Sequence, residues 1–159
     1  LDEDDLKKAS INEGIESTLT LLNNKLKDNV EVVKDYGDIP SIDCYPGKIN
    51  QLLMNVINNS IHAIEANKSL DSGKGKLMIT TKEINSNVII EIKDNGTGMD
   101  EHTQKKMFDP FYTTKDVGKG TGLGMSIVYK IIQNHKGKIE VESVLGKGTA
   151  VSIFLPKQV

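Results

Sequence analysis

Residues 94–122 read DNGTGMDEHTQKKMFDPFYTTKDVGKGTG, and the interpretation of the whole chain starts from this stretch. It is rich in glycine and carries few apolar residues at regular spacing. A stretch of this length without a periodic pattern is uncommon as a plain connection in a compact domain, and it usually belongs to a binding or active site. We therefore expect a functional loop here, held by regular elements on both sides.

The segments around this stretch predict helices that alternate with strands. Apolar residues repeat at three- and four-residue steps, as in amphipathic helices, over residues 11–28, 47–67 and 123–135. Alternating or short continuous apolar runs predict strands over residues 30–34, 77–84, 88–93, 138–144 and 149–155. The pattern predicts an α+β fold of two layers, in which about three helices cover one face of a mixed, mostly antiparallel sheet.

The composition describes one globular domain of ordinary size. The chain has 159 residues, of which 37% are hydrophobic and 26% charged, with a formal net charge of −2. This balance provides no broad cationic field, so we expect no nucleic-acid partner. No apolar run approaches the roughly 20 residues of a membrane helix, and the start of the chain is acidic rather than signal-like. We expect a cytoplasmic domain with no direct membrane insertion, even where the parent protein is membrane-anchored.

Two smaller features complete this outline. Residues 1–10 are polar, and we expect a linker or the end of an upstream dimerisation helix before a domain that covers residues 11–159. The single cysteine, Cys44, cannot form a disulfide within the chain and cannot build a zinc site with three scattered histidines. We expect it to be a reduced, structural thiol.

A stripe of polar residues runs along the second predicted helix, away from its apolar face. Asn55, Asn59 and His62 lie together at helical spacing. Asparagine is a poor residue for the middle of a helix surface, since its amide competes with the backbone. An amide oxygen is, however, a neutral and hard ligand that suits Mg²⁺. The stripe by itself fits a metal site or a plain solvated face.

The loop DNGTGM at residues 94–99 follows a predicted strand directly. An ionised carboxylate only accepts hydrogen bonds, so a buried Asp94 can select a ligand amine such as that of adenine. Gly96 and Gly98 allow the backbone to approach a flat ring closely. Read alone, the first three residues of this loop are equally an ordinary turn.

Four glycines alternate just before the third long helix, in GKGTGLG at residues 118–124. Such a loop exposes backbone amides to an anion, and the helix dipole favours phosphate at the helix start. Lys115 and Lys119 add positive charge nearby. The sequence matches neither a Walker A loop nor the dinucleotide-binding pattern. It indicates a phosphate-binding loop, with a flexible linker as the alternative.

The order of these pieces resembles the ATP-binding catalytic domain of sensor histidine kinases. The chain shows Asn55-x-x-x-Asn59, DxGxG at residues 94–98, MFDPFYTTK at 107–115, the glycine ladder, and GKGT at 146–149. These look like the N, G1, F, G2 and G3 boxes of that family, in the family's order. The resemblance implies a Bergerat-type ATP-binding fold, with ATP and Mg²⁺ held between the N-box helix and a lid.

Carried over by position, the resemblance implies a role for each residue of the site. Asn59 is the Mg²⁺ ligand and Asn55 supports phosphate or metal, while Asp94 accepts from the adenine amine and Thr149 completes the adenine site. His62 stands near the phosphates, where a protonatable side chain can make the contact pH-sensitive. The residues placed at the nucleotide are Asn55, Asn59, His62, Asp94, Gly96, Gly98, Met99, Phe108, Phe111, Thr114, Lys115, Gly118, Lys119, Gly120, Thr121, Gly122, Leu123, Gly124 and Thr149.

Two further roles concern the lid. The resemblance implies that Phe108 and Phe111 anchor it and that residues 113–122 form it. Gly120, Gly122 and the residues up to 124 bring backbone amides to the phosphates.

The resemblance also implies an enzyme, a protein-histidine kinase of two-component signal transduction. In that family the phospho-accepting histidine lies in a separate dimerisation segment, usually before an acidic residue and a proline. None of His62, His102 and His135 has that context. We expect the acceptor on such a segment upstream in a longer protein, and a response-regulator receiver domain as a second partner.

Three other functions fit parts of the pattern. A gyrase- or mismatch-repair-type ATPase keeps the fold, but those proteins lack the box with Phe108 and Phe111 and continue into a transducer domain. An anti-sigma-factor serine kinase is similar in size. A non-catalytic nucleotide-sensing module also fits, although Asn59, Asp94 and the glycine ladder are all intact.

Overall fold

The computed structural model of the protein describes residues 5–70, 75–112 and 124–158. In chain order the elements are β1 (Lys7–Ala9), α1 (Ile11–Leu21), α2 (Asn23–Leu26), β2 (Val30–Tyr36), β3 (Ile42–Cys44), α3 (Pro46–Ala66), β4 (Gly75–Ile84), β5 (Asn87–Asp94), α4 (Glu101–Lys106), α5 (Gly124–Asn134), β6 (Lys138–Val144) and β7 (Gly148–Pro156). The predicted site residues that lie outside the described part are Thr114, Lys115, Gly118, Lys119, Gly120, Thr121, Gly122 and Leu123.

A five-stranded sheet carries the fold, with the strand order β2-β4-β5-β7-β6. β2 and β4 run parallel, and each of the other three neighbouring pairs is antiparallel. On β7, the buried Val151, Ile153 and Leu155 alternate with more exposed residues, because one face of the sheet is covered. α3 packs on β4 and β5 and between α1 and α5. The predicted α+β fold, with its mixed and mostly antiparallel sheet, is confirmed.

α3 and α5 are tied together at two places. At the start of α3, the Tyr45 amide donates to His135 Nε2 at 3.1 Å, and Nδ1 of the same imidazole bonds the Ile131 carbonyl at 2.8 Å. Ten residues further along α3, Asn55 Nδ2 donates to the Gly124 carbonyl at 3.3 Å. The first residue of α5 is therefore held against the polar stripe of α3.

The structure corrects the sequence interpretation at the beginning of the chain. Residues 7–9 form a strand, so the end of a helix is wrong for them; β1 pairs with β3 in a separate two-stranded sheet. The predicted helix over residues 11–28 is interrupted at Leu22, where α1 ends. Cys44 is buried and free, as expected. Within the described residues, no helix combines the length and apolarity that crossing a bilayer requires.

Candidate functional site

Asp94 is the last residue of β5, and only 7% of its surface is exposed. Its Oδ1 accepts from the Gly96 amide at 2.8 Å, and the Ser60 hydroxyl and Thr149 amide also donate to the carboxylate. Burial raises the pKa of Asp94 above its usual value, and these hydrogen bonds oppose the increase. The site thus contains a buried carboxylate that is held by donors from three different elements and retains further capacity to accept.

The loop after Asp94 lies directly on the C-terminal half of α3. At Gly96, a Cβ would overlap Ala63, so only glycine allows this approach. The Thr97 amide donates to the Ala63 carbonyl at 3.1 Å. Asn67 Nδ2 donates to the carbonyls of Asn95 and Gly96, both at 3.0 Å. The backbone of the loop is therefore fixed by packing and not only by its own turn.

On its other side the loop contacts the β6–β7 hairpin. Gly98 has φ +68°, and a Cβ there would overlap the Val144 carbonyl. Gly148, with φ +137°, lies equally close to the backbone of Asp94. The Gly146 amide donates to the Thr97 carbonyl at 2.6 Å. This close approach places Thr149 opposite Asp94 in the sheet register.

Two polar side chains that the sequence did not single out complete the contact between this loop and the β6–β7 hairpin. Ser143 Oγ accepts from the Met99 amide at 2.8 Å and lies 2.7 Å from Thr149 Oγ1. Gln104 Nε2 donates to the carbonyls of Met99 and Ser143 at 3.1 and 3.3 Å. No local signal marks either residue, because a serine on an alternating strand and a glutamine on a short helix are ordinary surface residues in a sequence.

The asparagine stripe of α3 lies beside the same loop. Ala63, which contacts Gly96, lies one turn after Asn59, and Asn55, which contacts Gly124, lies one turn before it. Asn59 is half-buried and is the neighbour in sequence of Ser60, the hydroxyl that bonds Asp94. His62, also half-buried, lies one turn from Asn59. The structure thus brings Asp94, the stripe and the start of α5 to one side of α3.

The two aromatic residues expected to anchor the lid differ from each other. Phe108 is partly buried against the core, with its ring centroid 5.6 Å from that of Tyr129. Phe111 is 74% exposed and has a positive φ of 68°. The ring of Phe111 therefore has little protein surface against it, and its role as a lid anchor stays a prediction.

Comparison with known proteins decides the family. The family model of the Histidine kinase-, DNA gyrase B-, and HSP90-like ATPases matches residues 45–159. The chain belongs to this family. Sporulation kinase E of Bacillus subtilis (strain 168) is 40% identical over 142 residues, which are 87% of this chain and 18% of that protein. The chain thus spans about a fifth of this relative.

Solved structures narrow the assignment within the family. The nucleotide-free catalytic domain of histidine kinase ThkA is 30% identical, with a TM-score of 0.80 and 97% of both chains covered. ThkA in complex with the response regulator protein TrrA is 28% identical, with a TM-score of 0.75, and the match covers 96% of this chain and 42% of that one. The domain is a histidine-kinase catalytic ATP-binding domain, as its sequence motifs indicated.

Proposed function

We propose that this domain binds Mg²⁺-ATP and transfers the γ-phosphate to a histidine on a dimerisation segment of its parent protein. The observation that carries the proposal is the buried Asp94 carboxylate, which bonds Ser60 on the same helix that carries Asn59. The Asp94 carboxylate, an acceptor for a base, is thereby bonded to the residue of α3 that follows Asn59, whose amide oxygen suits a metal.

The adenine end is formed by the loop at residues 94–99 and by β7. The Asp94 carboxylate accepts a hydrogen from the adenine amine, and Thr149 adds a hydroxyl from the opposite strand. Gly96 and Gly98 add no side chain beside the ring and pack closely against α3 and β6, and Met99 follows them at the end of the loop. This arrangement recognises a flat base that donates hydrogens.

The phosphate end begins further along α3 toward Asn55. A bound Mg²⁺ would neutralise negative charge that develops on the phosphates during transfer. Such an ion takes only one or two protein oxygens besides phosphates and water, so the amide oxygen of Asn59, supported by Asn55, fits the requirement. The hydrogen bond from Asn55 to Gly124 also fixes the start of α5, where backbone amides can meet an anion. We place Thr114, Lys115, His62 and the residues from Gly118 to Leu123 at the phosphates.

The acceptor histidine comes from outside this domain. His135 is 1% exposed and both its ring nitrogens are hydrogen-bonded, so it cannot attack a phosphoryl group. His102 on α4 and His62 in the proposed nucleotide site both lack the following acidic residue and proline that the family resemblance implies for the acceptor. We assign residues 11–159 to the catalytic domain together with β1, because this strand pairs with β3, and we propose that the dimerisation segment precedes β1.

The proposed partners follow from this chemistry. After transfer to the histidine, the phosphoryl group would pass to the receiver domain of a response regulator; ThkA, with a similar catalytic domain, has been crystallised with such a protein. Because ATP is the phosphoryl donor, we place the domain in the cytoplasm.

Calorimetry with matched asparagine variants tests the metal end of the site. Wild-type protein should bind ATP more tightly with Mg²⁺ than without, and Asn59→Ala should lose this difference. Asn58→Ala is the control, since Asn58 bonds Lys25 at 3.0 Å on another side of α3 and should keep the Mg²⁺ effect. An unchanged Mg²⁺ effect in Asn59→Ala would remove the metal from Asn59.

A second experiment tests the transfer. The domain is mixed with a separately produced dimerisation segment and labelled ATP. Label on the segment's histidine supports the kinase. Release of phosphate without transfer would instead indicate an ATPase, and binding with neither reaction would indicate a nucleotide-sensing module.

A further inference from the structure

We call the loop at residues 94–99, the β6–β7 turn and Thr149 the base-binding wall. Ser143 connects these three parts through one hydroxyl group. Its Oγ accepts from the Met99 amide at 2.8 Å, donates to the Gly148 carbonyl at 3.1 Å and lies 2.7 Å from Thr149 Oγ1. These contacts join the loop at residues 94–99, the β6–β7 turn and the residue opposite Asp94. No other hydroxyl among those described for this wall makes contacts to all three.

The number of hydrogens on these groups determines their directions. A hydroxyl group donates one hydrogen bond and accepts two. All three contacts of Ser143 are satisfied together only when its own hydrogen points to the Gly148 carbonyl, while its lone pairs accept from Met99 and from Thr149. The hydrogen of Thr149 is then committed to Ser143. On its remaining side the Thr149 hydroxyl presents lone pairs only.

We propose that Ser143 is a positioning residue that fixes Thr149 as an acceptor beside Asp94 and so makes the site selective for 6-aminopurine nucleotides. Asp94 and Thr149 are register partners on β5 and β7, and the Thr149 amide bonds the carboxylate. The Asp94 carboxylate and the Thr149 hydroxyl are then two adjacent acceptors. They match the exocyclic amine of the base, which donates hydrogen bonds directly or through a water. A 6-oxopurine brings a carbonyl oxygen to the same place, where it meets acceptors and no donor.

This inference rests on the proposed ATP site and adds the selectivity for the base. Gln104 supplies a matched control, because its amide nitrogen holds the carbonyls of Met99 and Ser143 without contacting the Thr149 hydroxyl. Removing Gln104 loosens the same loop and leaves the direction of the Thr149 hydrogen unchanged. Loop positioning and hydroxyl direction can therefore be separated.

The test compares the dissociation constants of ATP and of inosine triphosphate, which carries a 6-oxo group in place of the amine. Wild-type protein should prefer ATP. In Ser143→Ala the Thr149 hydroxyl is free to donate. The preference for ATP over inosine triphosphate, measured as the ratio of their dissociation constants, should therefore fall by about threefold to tenfold. Ser143→Thr keeps a hydroxyl and should restore the wild-type ratio. Gln104→Ala should weaken both nucleotides by the same factor.

The possible failures are distinguishable. If Ser143→Ala weakens both nucleotides equally, as Gln104→Ala does, the inference is overturned while the ATP site stands. If wild-type protein binds no ATP, the proposed function fails, and the inference fails with it. Should Ser143→Ala not fold, Thr149→Val replaces it: the ratio should shift in the same direction, and an unchanged ratio would overturn the inference.

Discussion

The base-binding loop and the segment that follows it are neighbours in the chain but are built differently. Residues 94–99 are held by backbone contacts on two sides, with Gly96 against α3 and Gly98 against β6. Residues 101–112 contain α4, which has no buried residue, and reach the exposed Phe111. The first region is preformed for a rigid ligand, since ordering it further would cost little. The second region packs Phe108 against the core but has no buried residue in α4, so it has fewer contacts to lose when it rearranges.

Gly98→Ala should give the largest loss of stability. A non-glycine residue at a φ of +68° costs about 1–2 kcal/mol, and overlap with the Val144 carbonyl adds about 1–3 kcal/mol. Gly146→Ala is the matched control, because Gly146 has a φ of +83° but open space around a Cβ, so only the first cost applies. Urea unfolding measures both. Equal losses would show that the loop does not need its close contact with β6.

Asp94→Asn should lower ATP affinity by on the order of 1–3 kcal/mol or more, roughly tenfold to over a hundredfold, because an amide offers a mismatched group to the adenine amine. The free energy of unfolding should not fall, since burial of the charge opposes folding. Asp100→Asn, between the two regions, is the control, because asparagine caps α4 as well as aspartate does. Calorimetry that finds unchanged affinity in Asp94→Asn would remove adenine recognition from this residue.

The aromatic pair of the second region should respond asymmetrically. Phe108→Ala should lower the free energy of unfolding by about 1–3 kcal/mol, less than a fully buried phenylalanine, because its ring is only partly buried against the core. Phe111→Ala should change it by less than about 0.5 kcal/mol, since this ring is 74% exposed. Thermal unfolding distinguishes the two. A large loss from Phe111→Ala would mean that this residue is packed in solution.

The smallest expected effect is the pH dependence that Asp94 adds to stability. Burial raises the folded-state pKa of Asp94 above its unfolded value, so the folded protein keeps this proton to higher pH. The contribution is fully present below the unfolded pKa and is lost as the pH rises through the folded pKa. The stability of wild type relative to Asp94→Asn should therefore fall as the pH rises through that range. Unfolding titrations that show an increase would contradict the sign.

Periodicity predicted the main elements because burial imposes it locally. α3 was expected at residues 47–67 and occupies Pro46–Ala66, since eight of its residues face the core at helical spacing. β1 and β3 were missed, because the sequence of residues 7–9 carries no apolar pattern and its strand exists only by pairing with a segment far along the chain.

Some residues of the site could likewise be predicted from the sequence and others could not. Asp94 and the glycines could be recognised because the contacts they make require these residue types. Ser143 and Gln104 could not, since their hydrogen-bond partners become neighbours only when β6, β7 and α4 assemble around the loop. The structure also showed that Phe111 is exposed, which the aromatic pattern alone could not indicate.

A single bound nucleotide should contact the Asp94 carboxylate through its base and the Asn59 amide through its metal. A crystal structure of the domain with Mn²⁺ and a non-hydrolysable ATP analogue tests it most directly, because the anomalous signal locates the metal. We expect the adenine amine within about 3.2 Å of the Asp94 carboxylate and the metal on the Asn59 amide oxygen. A nucleotide bound away from Asp94, or a metal held without Asn59, would contradict the account.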